Sequence, residues 1–391
     1  MLDVELKEHL KHSIIPFWKG LKDEEFGGFY GYLDYNLNLN TKAEKGLILN
    51  SRILWFFSSA YKELKEEELL IYAKHAYEFL THYGLDQENG GVYWSLTYDG
   101  AVLDGTKHTY NQAFAIYALS TYYEVTGKEE ALQKAFALYE LIENKCKDSF
   151  GYLEAFDSYF NPILNDKLSE NGVIAQKTMN TLLHILEAYT QLYLVSKEER
   201  VKNKLREIFD IIEGKVFHAF KKRQEVFFDR KMNSILDLHS YGHDIEASWL
   251  IDRGLEAIND SVYSKKMSKI TRVLVEEVYL KAYENQSLAN ECESGKIDTI
   301  RIWWVQAEAM VGFYNAYEKD NKKQEYLLAV HAIWDFIKSY FIDKRAGSEW
   351  FPAVDMQGNV IEGLPIVQPW KCPYHNGRMC LEIIRRMKDA S

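Results

Sequence analysis

The chain has 391 residues, with 47 Lys and Arg against 58 Asp and Glu, a formal charge of −11, which argues against a protein that grips a phosphate backbone. Hydrophobic residues make up 47% of the sequence and aromatics 14%, with only 6 prolines, so the chain can bury a large core and does not read as disordered or linker-rich. Four cysteines, Cys146, Cys292, Cys372 and Cys380, are too sparse for a disulfide-stapled secreted domain and fit a reducing cytoplasm.

Residues 1–9 carry acidic side chains where a secretory signal needs a basic start and an apolar run, so no export is expected. The most apolar stretch, Ile53 to Ala60, is far shorter than a membrane span. From there the sequence repeats. Polar residues lead into apolar helical runs near Arg52, Asn111, Asn180, His243, Trp304 and Asn376, roughly 60 to 70 residues apart. Between them lie charged amphipathic stretches, 66–82, 128–145, 197–214, 261–283 and 322–342, with the period of half-buried helices. One apolar and one amphipathic helix per unit cannot bury their faces without neighbours. Six such pairs predict a closed all-α ring, an (α/α)6 barrel of six inner and six outer helices, in a single domain over residues 1–391. Short glycine-aromatic segments, 27–31, 90–94, 151–154, 226–229 and 348–351, read as tight turns with strand-like arms that gather at one end and roof a cleft.

The polar residues opening the inner helices are expected in that cleft. His243 and Glu246 stand three apart on one helical face, where an imidazole and a carboxylate can meet and move protons near neutrality; the plainer reading is a capped helix start. His375 opens the sixth inner helix. Its neighbours Cys372 and Cys380 have a spacing that invites zinc, but the fourth ligand is not supplied locally and they read as buried small hydrophobes. Asn180 and His184 lie one turn apart on the third inner helix. Arg52, amid Ile53, Leu54 and Trp55, needs an anionic or strongly polar partner, either an oxyanion or a carboxylate such as Glu246 or Glu308. Trp303, Trp304, Trp370, Trp94 and Tyr110 offer flat faces suited to sugar rings. No nucleotide-binding glycine motif and no Gly-x-Ser-x-Gly elbow is present, so neither a cofactor nor a serine hydrolase is expected.

At these motifs, among them 27–32, 50–57, 107–110, 168–172, 177–180, 240–247, 303–308 and 370–380, the sequence resembles the N-acylglucosamine 2-epimerase superfamily over almost its whole length, and within it the branch acting on cellobiose. The resemblance implies reversible epimerisation at C2 of the reducing-end glucose of a β-1,4-linked disaccharide, without metal or nucleotide, through ring opening and a cis-enediolate. It implies His243 and His375 as the acid/base pair, Arg52 and His184 around O1 and O2, and Glu246 as support for His243. Tyr110, Asn180, Trp303, Trp304, Glu308 and Trp370 are then substrate contacts. Rival readings are an aldose-ketose isomerase sharing the enediolate, an acylated-hexosamine epimerase, a glycoside hydrolase using Glu246 and Glu308, and a non-catalytic sugar binder. The expected partner is a small disaccharide, with no nucleic acid and no membrane, and the chain is expected as a monomer or weak homodimer.

Overall fold

The computed structural model describes residues 1–167, 171–320 and 323–389. Part of one quoted motif, residues 168–170, lies outside the described residues. The inner helices are α2 (Leu47–Leu64), α4 (Thr109–Thr126), α6 (Met179–Ser196), α8 (Tyr241–Ile258), α10 (Trp303–Lys319) and α12 (His375–Asp389). They are buried on nearly every side along the stretches that carry Leu, Ile, Phe and Ala, which is why no single polar stripe marks them in sequence. The outer helices α3 (Glu68–Phe79), α5 (Glu129–Leu141), α7 (Glu199–Ile211), α9 (Ser261–Lys281) and α11 (Gln324–Phe336) bury one face each. All but α9 then run into a widened final turn, as at Leu80–Gly84 and Ile212–Val216.

The sixth outer helix is the N-terminal one. α1 spans 2–19 as Leu2–His9, a wide turn Leu10–Ile14, and Ile15–Lys19, and its early part packs on α12. First and last repeats therefore share one wall, which closes the ring.

The cleft end is built by repetition too. The two or three residues before each inner helix pair antiparallel with the segment that follows the next outer helix: Lys45–Gly46 with Ser95–Leu96, Lys107–His108 with Ala155–Phe156, and Lys177–Thr178 with Phe227–Phe228. Leu238–Ser240 pairs with Glu291–Glu293, and Arg301–Ile302 with Ala353–Val354. Leu33 and Val367 complete the circle with a single bridge. These pairings fix where each inner helix starts. The first begins at Leu47, so Arg52 lies in its second turn and not at its opening.

At the other end, α2, α4, α6 and α8 stop on left-handed residues, Lys65, Gly127, Lys197 and Asn259, the usual way to satisfy the last carbonyls. Four loops share a further device. Asp34, Asp157, Asp229 and Asp355 each accept from the backbone N–H and side-chain amide of the Asn four residues on, Asn38, Asn161, Asn233 and Asn359. That Asp-x-x-x-Asn repeat was open to sequence reading and is absent from the motifs singled out above.

No helix among the described residues is long and apolar enough to cross a membrane.

Candidate active site

Six inner-helix starts converge on a cavity of about 280 Å³ lined by Arg52, Tyr110, Asn180, His184, His243, Glu246, Trp303, Trp304, Trp370 and His375. Ten of the eleven site residues that the resemblance implies thus meet in one space. The eleventh, Glu308, is fully buried behind the wall and accepts from His375 Nδ1 at 2.7 Å. It touches the histidine and does not line the cavity. Trp304 stands between the two histidines, with ring centroids 4.8 Å from His243 and 5.3 Å from His375. Gly242 makes room for it, since a Cβ there would come within 2.5 Å of the Trp304 ring.

The expected His243–Glu246 pair does not form. His243 Nδ1 lies 2.7 Å from Ser240 Oγ, and Glu246 Oε1 instead accepts from Arg378 Nη2. The guanidinium wins because a charged donor makes the stronger hydrogen bond to a carboxyl oxygen than a neutral imidazole does. The same i, i+3 spacing does form its bond one unit earlier, where His184 Nδ1 meets Glu187 Oε2 at 3.0 Å. His-x-x-Glu occurs twice on the inner helices, and the occurrence left unread is the one that pairs.

Arg378 is the hub that sequence reading missed. Nη1 donates to Glu187 Oε1 at 2.6 Å, and Nη2 donates to Glu308 Oε1 at 2.7 Å as well as to Glu246. Tyr374 Oη joins Glu187 and Arg378. The signal was its place three residues after His375 on the same helix. Among the described residues Arg52, by contrast, has no carboxylate in hydrogen-bond reach. It donates to Tyr110 Oη at 2.8 Å and the Trp370 carbonyl at 3.3 Å, and lies over the rings of Phe114 and Tyr374. Its Nε is buried without a partner, so the cation is left for an oxygen of the ligand.

The roof is narrower than expected. Of the glycine-aromatic segments only the last continues into lining residues, Pro352 and Ala353, and the rest of the roof comes from Leu364, Pro365, Gln368 and Lys371. Trp94 sits behind Trp370, ring centroids 5.7 Å apart, and does not line the cavity.

Burial sets the electrostatics. Desolvation pushes His243 down to about 3, His184 to about 4 despite Glu187, and His375 well below its usual value, so all three imidazoles are neutral at pH 7 and able to accept a proton. Desolvation and the neighbouring Glu308 push Glu246 up to about 8. Glu187, facing Arg378, stays well below the usual carboxylate range. Glu246, Glu308 and His375 bring ligand atoms within 4.8 Å of one another, but the Arg378 guanidinium already bridges both carboxylates, in the place a cation would take.

These neutral histidines carry a stability consequence. Their folded values are depressed, so the unfolded chain binds protons first as pH drops. Stability is fully present above about 6.5 and is lost as pH falls toward 3–4, by about 1.4 kcal/mol per pH unit for each such histidine. Glu246, raised to about 8, works the other way and gains stability as pH falls from 8, so thermal melts between pH 8 and 4 should show a Tm that does not drop from 8 to 6.5 and then falls below about 6.5, where the three histidines outweigh the one carboxyl; no fall down to pH 4.5 would show that the imidazoles are solvated.

Fold and site together define a proton-transferring enzyme of the helical-barrel class. The chain belongs to the N-acylglucosamine 2-epimerase (GlcNAc 2-epimerase) family, whose sequence profile matches residues 28–375. A cellobiose 2-epimerase from Eubacterium cellulosolvens is 48% identical, with 97% of each chain covered. A sugar epimerase from a ruminal bacterium superposes with a TM-score of 0.97 at 47% identity, covering 99% of both chains. The cellobiose 2-epimerase from Bacillus thermoamylovorans B4167 gives 0.94 at 47% identity, covering 98% of this chain and 99% of that one.

Proposed function

We propose that this protein epimerises the reducing-end glucose of β-1,4-linked disaccharides at C2, interconverting cellobiose with glucosyl-mannose and lactose with epilactose. The observation that carries the reading is the pair of neutral histidines, His243 and His375, on well-separated helices of one cavity with Trp304 between them. Epimerisation of an unactivated sugar carbon needs the ring opened, the C2 proton removed beside the aldehyde, and a proton returned to the opposite face. Two bases on different walls can serve the two faces of C2. Glu308 accepts from His375 Nδ1, which holds the Nε2 lone pair free and stabilises the imidazolium once it forms. Ser240 Oγ can accept from or donate to His243 Nδ1, so that imidazole is supported as base and as acid.

The enediolate's negative oxygen requires preorganised positive donors. Arg52, without a carboxylate partner among the described residues, supplies one, and His184 stands across Tyr110 from it. The buried and unpartnered Asn180 Oδ1 is ready to accept a sugar hydroxyl. Four free cysteines, three of them buried, support a reducing compartment.

Cellobiose incubated with the enzyme in D2O and followed by NMR should give glucosyl-mannose carrying deuterium at C2. Release of free glucose would replace this reading with hydrolysis, and a ketose as the main product would replace it with isomerisation.

A further inference from the structure

Three buried carboxylates, Glu187, Glu246 and Glu308, share one guanidinium, that of Arg378. Arg378 and the hydroxyl of Tyr374 hold Glu187, and Trp249 Nε1 at 3.0 Å and His375 add donors to Glu308. Glu246 is the least provided for. Only Oε1 has a partner, while Oε2 is buried, unpartnered and part of a carboxyl that lines the cavity. An ionised carboxylate with one bare oxygen in a dry interior is costly, whereas a carboxylic acid needs only an acceptor, which a bound sugar supplies.

We propose that Glu246 works as a neutral carboxylic acid, the catalytic group that protonates the ring oxygen when the reducing-end sugar opens. The inference rests on the epimerase reading and deepens it. Ring opening breaks the O1–H and C1–O5 bonds while forming C1=O and O5–H, so it needs a base and an acid together. With both histidines neutral, Glu246 as a carboxylic acid begins the cycle with a proton to give.

The whole cycle then balances without an outside proton. In one direction, His375 takes the O1 proton as Glu246 gives its own to O5. His243 removes the C2 proton, and the enediolate takes the proton held by His375 on the opposite face. On closure O5–H returns its proton to Glu246 and His243 returns the other to O1. The charged and titratable groups facing Glu246 fit this scheme. Glu308 on α10 and Glu187 on α6 disfavour its ionisation, and Arg378 on α12 favours it. Tyr110 on α4 feels the Glu246 charge and is itself held protonated by burial, and Arg52 on α2 donates to that tyrosine. His243, on the same helix, is neutral.

The test separates ring opening from C2 chemistry. A cellobiose analogue lacking the 5- and 6-hydroxyls of its reducing end cannot close a ring and presents the aldehyde directly. Glu246→Gln should slow cellobiose epimerisation about 10²–10⁴-fold while leaving C2 hydrogen exchange of the open analogue within about tenfold of wild type. Equal losses on both substrates would overturn the proposal and make Glu246 a support for the C2 step. Wild-type enzyme gives a second measure that needs no variant. Turnover of cellobiose should fall as pH rises past about 8, with exchange on the open analogue unaffected; a shared alkaline limb would also overturn it. Absence of any wild-type turnover of cellobiose would instead fault the epimerase reading itself.

Discussion

Alanine at His243 or at His375 is expected to lower epimerisation by about 10²–10⁴-fold, to or below detection, with sugar binding still measurable by calorimetry. Each histidine faces the cavity from a different helix, and neither can be replaced by the other without moving a proton across the sugar plane. The two variants should differ in one respect. His375 has the Glu308 carboxylate behind it and His243 has only a serine hydroxyl, so Glu308→Gln should impair the reaction by about tenfold through the imidazolium of His375, without the full loss of His375→Ala. Turnover retained in both alanine variants would dismiss the pair as the acid/base groups.

Arg378→Leu is the second large effect, and it falls on stability. Removing the guanidinium strands the ionised Glu187 and takes a donor from Glu246 and Glu308 in a dry core. Breaking a buried ion pair from one side typically costs about 3–5 kcal/mol, and urea denaturation at pH 7 should show a loss of that order. The double variant Arg378→Leu with Glu187→Gln should recover part of it, because the loss comes from stranded negative charge and Glu187 is the carboxylate that Arg378 holds ionised. A loss under about 1 kcal/mol would mean that water reaches the network.

The six-fold order was legible in the sequence because it is local. Apolar runs such as 53–60 and 181–189 and the amphipathic stretches between them report a helix and its face within a dozen residues. The outer helix of residues 2–19 escaped because its partner α12 lies at the far end of the chain, and only ring closure brings them together. Histidines, arginine and tryptophans in the first two turns of the inner helices were legible for the same reason, since the repeat places every start at one end.

Pairing within the site was not legible. His184–Glu187 and His243–Glu246 have the same spacing, and nothing local tells which bond forms. Arg378 decides it, by drawing Glu246 away from His243 while it holds Glu187 and Glu308.

The sequence by itself therefore determined an all-helical barrel and the end of it that carries chemistry, since helical periodicity and repeat length are properties of short segments. Only the tertiary structure decided which carboxylate pairs with which histidine and which one is left with a bare oxygen. Those outcomes depend on burial and on charges from helices far apart in sequence, and desolvation in a shared interior has no signature in any single stretch of chain.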